Sequence, residues 1–298
     1  MSRLQECIRD SKFVITAEIV PPLAASPDAL LAEAGLLGDG VDAINVTDGA
    51  AGRTTVSSFA AAALLVRHGY EAILQVTCRD RNRIALAGDL LGAAAQGVEN
   101  LLLLRGDDPE SGDQPDAMPV FDLETTELMK LARDMRDDAL LPSGRAIDSP
   151  PKFFIGGADV PRIPDDDWSP EPLRRKIECG VGFLQTQFCF DLDVVRRYFE
   201  RLGEEGITEK VAIIIGVGPI RSAQSARWMN ANLVGVHVPE ATIARLEGAK
   251  DQAAEGRSIC VELIEGLRDL PGPAGAHLMA PAQGTKAIAR VLNELATN

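Results

Sequence analysis

The sequence predicts an α/β fold, a single (β/α)8 barrel that spans residues 1–298. Three observations support this prediction. Short apolar segments alternate with longer alanine- and leucine-rich segments about eight times along the chain. Residues 101–104 form an uninterrupted run of leucines before Arg105 and Gly106, which is typical of a strand covered on both faces of a parallel sheet. No linker rich in proline, glycine and serine divides the chain into two halves.

Strand-length apolar segments recur through the chain, separated by segments with apolar residues at helical spacing. The strands are predicted near residues 13–20, 42–47, 71–77, 100–105, 152–157, 183–188, 211–216 and 274–279. The helices between them are predicted near residues 26–38, 54–68, 81–96, 122–136, 169–179, 191–203 and 221–231. Two further helices near 239–249 and 253–268 lengthen the last crossover, and a closing helix is predicted near 284–296. This order of elements favours a closed barrel over an open sheet.

Two acidic segments that contain proline interrupt the alternation. Residues 106–121 follow the fourth strand, so we expect them on the rim formed by the C-terminal ends of the strands. Residues 137–151 precede the fifth strand, so we expect them at the opposite end of the barrel. Because catalytic groups of such barrels collect at the C-terminal rim, the first segment is expected near the functional site.

The composition indicates a soluble enzyme and argues against several other classes of protein. The chain is 46% hydrophobic and 25% charged, and its net charge of −14 argues against nucleic acid, whose phosphates are bound mainly by lysine and arginine. No apolar window of about 18 residues predicts a membrane span, and the first residues lack the order of a signal peptide. The sequence therefore predicts a cytoplasmic protein without membrane partners. The five cysteines have no Cys-x-x-Cys spacing, so no metal site is predicted.

Glu18 is the candidate general acid. It lies near the end of the first predicted strand and is followed by Ile19, Val20 and Pro21. An apolar setting raises the pKa of a carboxyl group, as a general acid requires near neutral pH. The alternative is that Glu18 points outward and pairs with a basic residue of a neighbouring helix.

Other polar residues stand at the C-terminal ends of the remaining strands. Asp107 directly follows Arg105 and Gly106 at the end of the leucine run. Further strand-end residues are Thr47, Asp48, Gln75 and Gln187. For the turn that contains Thr47 and Asp48, the alternative role is helix capping.

The fifth strand and the following helix present two ambiguous features. Gly156 and Gly157 at the predicted end of the strand either let a ligand approach the backbone or form a tight turn. The basic cluster 174–176 is favoured as a solvated helix face when charge pattern alone is considered. The rim thus carries carboxylates and amides but neither a metal set nor a nucleophile paired with a base. This combination indicates an enzyme whose organic cofactor supplies the chemistry.

These motifs, in this order, resemble the methylenetetrahydrofolate reductase family over nearly the whole chain. The resemblance rests on the segments 17–22, 45–49, 77–78, 104–107, 185–188 with Asp191, 222–223, 236–239, and Ala253 with 255–256. The C-terminal half looks like the short reductases of acetogens and related bacteria. The family fold is a (β/α)8 barrel, which agrees with the fold predicted from the apolar pattern.

The resemblance implies an activity and three catalytic residues. Members of the family bind FAD at the C-terminal ends of the strands and reduce 5,10-methylenetetrahydrofolate to 5-methyltetrahydrofolate with NAD(P)H, by ping-pong hydride transfer. Glu18 matches the general acid that helps to open the methylene bridge. Asp107 matches the aspartate near the flavin and the pterin, and Gln187 matches the glutamine that orients the folate.

The resemblance also implies a cofactor site, which reverses the interpretation of the basic cluster. Residues that match the surroundings of the flavin and its diphosphate are Thr47, Arg105, Gly106, Arg175 and Lys176. Strand-end residues assigned to the same site are Asp48, Gln75, Asp107, Gly156, Gly157 and Ala158. The chain departs from the family in three of these regions. Gln75 replaces a histidine, residues 158–162 replace a Tyr-Pro and His-Pro-Glu-Ala stretch, and Ser169 replaces an aspartate.

Several alternatives stay open at this point. The cofactor is FAD, FMN or absent, the last case being a reductase that passes hydride directly from nicotinamide to folate. A second alternative is a folate- or flavin-binding subunit of a larger electron-transfer complex. A homo-oligomer and a partner subunit are both compatible with the sequence. A Schiff-base aldolase is disfavoured, because no lysine stands at a strand end where the chemistry would need one.

Overall fold

Eight parallel strands close into a barrel in chain order in the computed structural model, which describes residues 1–165 and 167–297. The strands are β1 (Val14–Ile19), β2 (Ala43–Val46), β3 (Ala72–Thr77), β4 (Asn100–Leu104), β5 (Phe154–Asp159), β6 (Val181–Phe188), β7 (Ala212–Val217) and β8 (Gly275–Leu278). β1 pairs with both β2 and β8, so the sheet has no free edge. The predicted (β/α)8 barrel is confirmed.

Helices surround the barrel and close its lower end. They are α1 (Arg3–Arg9), α2 (Pro27–Leu37), α3 (Ser58–Arg67), α4 (Arg83–Ala95), α5 (Thr125–Asp137), α6 (Glu171–Glu178), α7 (Leu192–Glu204), α8 (Ala223–Asn232), α9 (Glu240–Gly248), α10 (Gln252–Asp269) and α11 (Thr285–Leu295). The sequence analysis missed α1, which begins at an N-cap in which the Ser2 side chain accepts a hydrogen bond from the Gln5 amide. Within the described residues, none of the helices is long and apolar enough to cross a membrane.

The leucine run of β4 shows why these strands are apolar on both faces. Leu102 packs inside the barrel with Leu4, Phe154 and other side chains of the lower interior. Leu101 and Leu103 belong to the larger core between the sheet and the helices. Both faces of such a strand are buried, so its residues are apolar on both faces and its sequence is a continuous apolar run.

β5 lies two residues further along the chain than predicted, which changes the role of its glycines. A Cβ atom on Gly156 would lie 2.3 Å from the ring of Phe183, and one on Gly157 would lie 2.8 Å from the Met129 side chain. Both glycines therefore make room for core side chains inside and outside the barrel. The expectation that they form a close approach to a ligand, or a tight turn, is corrected, since both lie within the strand.

Candidate active site

A cavity of about 740 Å³ opens at the C-terminal ends of the strands, within the usual size range of cofactor and substrate sites. It is lined by residues of several strands and of the loops that follow them. The sequence-predicted residues that line it are Glu18, Thr47, Asp48, Gln75, Arg105, Gly106, Asp107, Ala158, Lys176 and Gln187. Gly156, Gly157 and Arg175 are not among the lining residues.

Glu18 projects from β1 into this cavity and is only partly accessible to solvent. Burial raises the pKa of Glu18 to about 7, a hydrogen bond from Gln75 opposes this rise, and the charge of Asp107 adds to it. Desolvation dominates because the neutral carboxyl loses less solvation than the carboxylate. The Glu18 carboxyl is therefore protonated in a large fraction of molecules near neutral pH.

Asp107 lies at the exposed edge of the cavity, on the loop after β4. Its Oδ2 accepts a hydrogen bond of 2.7 Å from the backbone amide of Ala51. Further along the same loop, Asp113 accepts a hydrogen bond of 3.0 Å from the amide of Thr54. The acidic segment is therefore fastened to the loop after β2, and Asp107 is held in a defined position on the rim.

The Asp48 side chain joins several elements of the rim by hydrogen bonds. Its carboxylate accepts hydrogen bonds from the Ser58 hydroxyl at 3.0 Å, the Thr77 amide at 2.9 Å and the Arg81 guanidinium at 2.7 Å. The side chain is buried and ion-paired, so Asp48 shapes the cavity wall by joining β2, β3 and α3. Both oxygens have partners within the protein, so the structure shows a structural role for Asp48, and its contact with a cofactor stays a prediction.

Polar side chains form the floor of the cavity inside the barrel. Thr16 Oγ1 lies 2.8 Å from His277 Nδ1, and Asn45 donates a hydrogen bond of 2.8 Å to the Gln185 side-chain oxygen. Burial lowers the pKa of His277 to about 3, so the imidazole stays neutral at physiological pH. The floor therefore offers hydrogen-bonding groups without adding a charge beneath Glu18.

The basic cluster of α6 divides between the cavity and the surface. Lys176 lines the cavity and donates a hydrogen bond of 2.5 Å to the Ala158 carbonyl oxygen. Burial lowers the pKa of Lys176, and the nearby Asp159 carboxylate opposes that shift. Arg175 is exposed and does not line the cavity, because consecutive helical residues point in different directions. The two side chains therefore do not meet in this cavity, and a phosphate contact remains a prediction for Lys176.

Three cavity residues were missed by the sequence analysis. The Tyr198 hydroxyl donates a hydrogen bond to Asp159, and Trp168 packs edge-on against the Tyr198 ring at a centroid distance of 6.3 Å. All three line the cavity. Asp159 is the last residue of β5, so it would have been recognised at the rim if the end of the strand had been predicted correctly. Tyr198 lies among the apolar residues of α7, where the sequence gives no sign of a functional role.

Two buried atoms test whether the cavity fits a polar cofactor. Asn45 Oδ1 and Thr47 Oγ1 have no hydrogen-bond partner among the residues that the structure describes, and both residues line the cavity. Such atoms are almost always paired in native proteins, so both call for a polar ligand or water. Arg105 and Lys176 add cationic groups to the wall. These residues can hydrogen-bond to a polar ligand and pair with an anionic group of it.

No group of three or more histidine, cysteine, aspartate or glutamate residues could hold a metal ion in the described ranges 1–165 and 167–297. The charged groups of the cavity are carboxylates, arginines and one lysine.

Sequence comparison identifies relatives along most of the chain. The family model of methylenetetrahydrofolate reductase matches residues 3–295. The chain is 29% identical over 230 residues to methylenetetrahydrofolate reductase 2 of Schizosaccharomyces pombe, a match that covers 74% of this chain and 34% of the relative. It is 24% identical over 216 residues to the 5,10-methylenetetrahydrofolate reductase of Escherichia coli, which covers 68% of this chain and 65% of the relative. The aligned region thus spans less than two thirds of either relative.

A solved structure from Clostridium thermocellum shares the fold. It superimposes with a TM-score of 0.66 and 14% identity over 99% of both chains. That protein is described as uncharacterized and as binding two copies of 5-methyl-5,6,7,8-tetrahydrofolic acid. At this low identity, the superposition establishes similarity of fold alone.

Proposed function

We propose that this chain, which belongs to the methylenetetrahydrofolate reductase family, reduces 5,10-methylenetetrahydrofolate to 5-methyltetrahydrofolate with NAD(P)H and a bound flavin. The observation that carries the proposal is Glu18, a partly buried carboxyl inside the cavity with a pKa raised to about 7. A protonated carboxyl at the C-terminal end of a barrel strand suits a reaction that needs one proton near neutral pH. The folate ligand of the Clostridium thermocellum protein, which has the same fold, also supports a folate substrate.

Glu18 would donate its proton to the nitrogen that leaves the methylene carbon. The carbon–nitrogen bond then breaks, its electrons stay on the protonated nitrogen, and the methylene carbon becomes part of an iminium ion. Asp107 and Gln187 line the same cavity and offer a carboxylate and an amide to the polar edge of the pterin. Together they would orient the methylene carbon for hydride transfer.

A flavin, when bound, would supply the chemistry of accepting hydride from NAD(P)H and passing it to the folate. Thr47, Arg105, Gly106 and Lys176 would hold it, since they line the cavity beside Glu18. Because cofactor and substrate residues share one cavity, we propose that nicotinamide and folate enter it in turn, in a ping-pong order.

The test is to purify the protein, record its absorbance spectrum and measure the two half-reactions separately. The Glu18→Gln variant should lose folate reduction, by at least about a hundredfold, while NAD(P)H still reduces the flavin. Asp108→Asn is the matched control, because Asp108 is exposed and its side chain caps the short turn at 109–111. Equal loss of both half-reactions in Glu18→Gln would contradict the assignment of Glu18 as the acid.

A flavin-free reductase is the second candidate function, favoured by two observations. Arg175 does not line the cavity, and the Asp159 carboxylate faces the region of Lys176, where a diphosphate would otherwise bind. A colourless protein that oxidises NAD(P)H only in the presence of methylenetetrahydrofolate would establish this alternative. For a yellow protein, the mass of the released cofactor distinguishes FAD from FMN. A yellow protein without activity would favour a subunit of a larger complex.

A further inference from the structure

Arg79 connects three neighbouring loops of the catalytic rim. It follows β3 and is 5% exposed, which is unusual for an arginine. Its Nη1 donates to the carbonyl oxygens of Gly49 at 3.1 Å and Asp107 at 3.4 Å, and its Nη2 donates to that of Asp48 at 3.5 Å. These carbonyls belong to the loops after β2 and β4, so one guanidinium spans both neighbours of β3.

The exposed carboxylate of Asp80 fixes the orientation of this guanidinium. It accepts from Arg79 Nε at 2.7 Å and from Nη2 at 2.8 Å, in a bidentate arrangement. The guanidinium has five N–H groups, and these five hydrogen bonds give each of them an acceptor. A lysine has three donors on a flexible stem and cannot reproduce this pattern.

Two glycines allow the neighbouring loops to pack directly against the Arg79 side chain. A Cβ atom on Gly49 would lie 2.4 Å from Arg79 Nη2, and one on Gly106 would lie 3.0 Å from Arg79 Cβ. Gly49 and Gly106 also have φ angles of +61° and +92°, which favour glycine. The backbone directly after Asp48 and directly before Asp107 therefore packs closely on this side chain.

Arg79 can affect the protonation of Glu18 through the Asp107 carboxylate. The charged and titratable groups that line the cavity with Glu18 are Asp48, Arg105, Asp107, Asp159, Arg162, Lys176, Tyr198 and His277. Among them, Asp48 is neutralised by Arg81 and His277 stays uncharged. Asp107 is the carboxylate whose charge acts on Glu18, and it is held by its backbone through Arg79 and by its side chain through Ala51.

We propose that Arg79 is a positioning residue, which fixes the Asp107 carboxylate relative to Glu18 by joining the loops after β2, β3 and β4. Arg79 acts through Asp107 and touches no reacting atom. The effect of Arg79 on catalysis rests on the proposed function, whereas the effect of Arg79 on the protonation of Glu18 does not.

The test follows the protonation of Glu18 directly, by 13C NMR of protein labelled in its glutamate carboxyls, with Glu18→Gln used to assign the signal. Arg79→Lys keeps the positive charge but loses the planar guanidinium, so the Asp107 backbone loses its contact with this side chain and the Asp107 carboxylate is held only through the Ala51 amide. Glu18 should then titrate at a lower pH, by about half a pH unit. For an active enzyme, kcat/KM for the folate should fall about tenfold. Asp80→Asn removes only the exposed carboxylate that orients the Arg79 guanidinium. It should shift the titration of Glu18 in the same direction but by a smaller amount.

Two comparisons separate positioning from a general loss of structure. Arg83→Lys alters an exposed arginine that pairs with Asp122 at 2.8 Å, and it should leave the titration of Glu18 unchanged. In an Asp107→Asn background, Arg79→Lys should cause no further shift. The proposal would be overturned if Glu18 titrated at the wild-type pH in both Arg79→Lys and Asp80→Asn. It would also be overturned if Arg79→Lys shifted the titration equally in the wild-type and the Asp107→Asn backgrounds. A protein that fails to reduce the folate but shows these shifts would refute only the proposed function.

Discussion

The protonation of Glu18 affects the stability of the whole chain. Its pKa is about 7 in the folded protein against an ordinary value of 4.5, because burial disfavours the charged form. The folded state therefore holds a proton that the unfolded chain releases between these two pH values. The corresponding stabilisation is fully present below a pH of about 4.5 and is lost as the pH rises through about 7.

Glu18→Gln should remove this pH dependence. The free energy of unfolding of the wild type should fall by about 2–3 kcal/mol relative to the variant between pH 4.5 and 7.5. Urea unfolding of both proteins at pH 4, 5.5, 7 and 8 measures the difference. A difference that stays constant over this range would show that the folded and unfolded states bind the Glu18 proton equally well.

Individual site residues differ in how far the sequence reveals them. The location of Glu18, Asp107 and Gln187 at the rim could be predicted, because a polar residue at the C-terminal end of an apolar strand lies at the rim of the barrel. The structural role of Asp48 could not be predicted, because the sequence does not show that Ser58, Thr77 and Arg81 converge on its carboxylate. Such contacts join side chains that are distant in the chain, so they depend on the closed fold.

At the scale of elements, types and order could be predicted more accurately than boundaries. The apolar run of β5 begins before the strand does, because Phe153 is buried without belonging to it. This displacement of two residues moved Gly156 and Gly157 from the middle of the strand to its predicted end. The helix α1 was missed, because its seven residues are too few for a helical period to stand out, although its Leu4 is fully buried.

The helix α4 allows a direct test of local backbone effects. Gly88 and Gly92 lie in its interior, are exposed, and have no atom within 4 Å of an added Cβ. Replacing either glycine with alanine should raise the free energy of unfolding by about 0.5–1 kcal/mol, because alanine loses less conformational entropy in a helix. Urea unfolding at constant pH measures the change.

Gly97 is the matched control for these two substitutions. It follows the end of α4 with a φ angle of +86°, and an added Cβ would lie 3.3 Å from Val66 Cγ1. Gly97→Ala should therefore destabilise the protein by about 1 kcal/mol or more. If Gly92→Ala were as destabilising as Gly97→Ala, the account of α4 as a regular helix with a left-handed end would be wrong.

At the scale of the whole molecule, barrel closure joins the two ends of the described chain. β1 pairs with β8 through four residue pairs from Val14 to Ala17, and α11 packs against α2. The number and order of strands indicated this closure, because alternating strand and helix segments form parallel sheets with right-handed crossovers. The rim loops could be placed by the same rule, but their hydrogen bonds to one another could not.

A ligand held by this rim should stabilise the entire barrel, because it binds the folded state and not the unfolded chain. At about a hundred times its dissociation constant, 5-methyltetrahydrofolate should add about 2.7 kcal/mol and raise the melting temperature by about 5 °C. Differential scanning calorimetry measures the shift. Gln187→Ala should reduce it, whereas Trp228→Ala, which alters an exposed side chain of α8 that does not line the cavity, should not. An equal shift in both variants would place the folate outside this cavity.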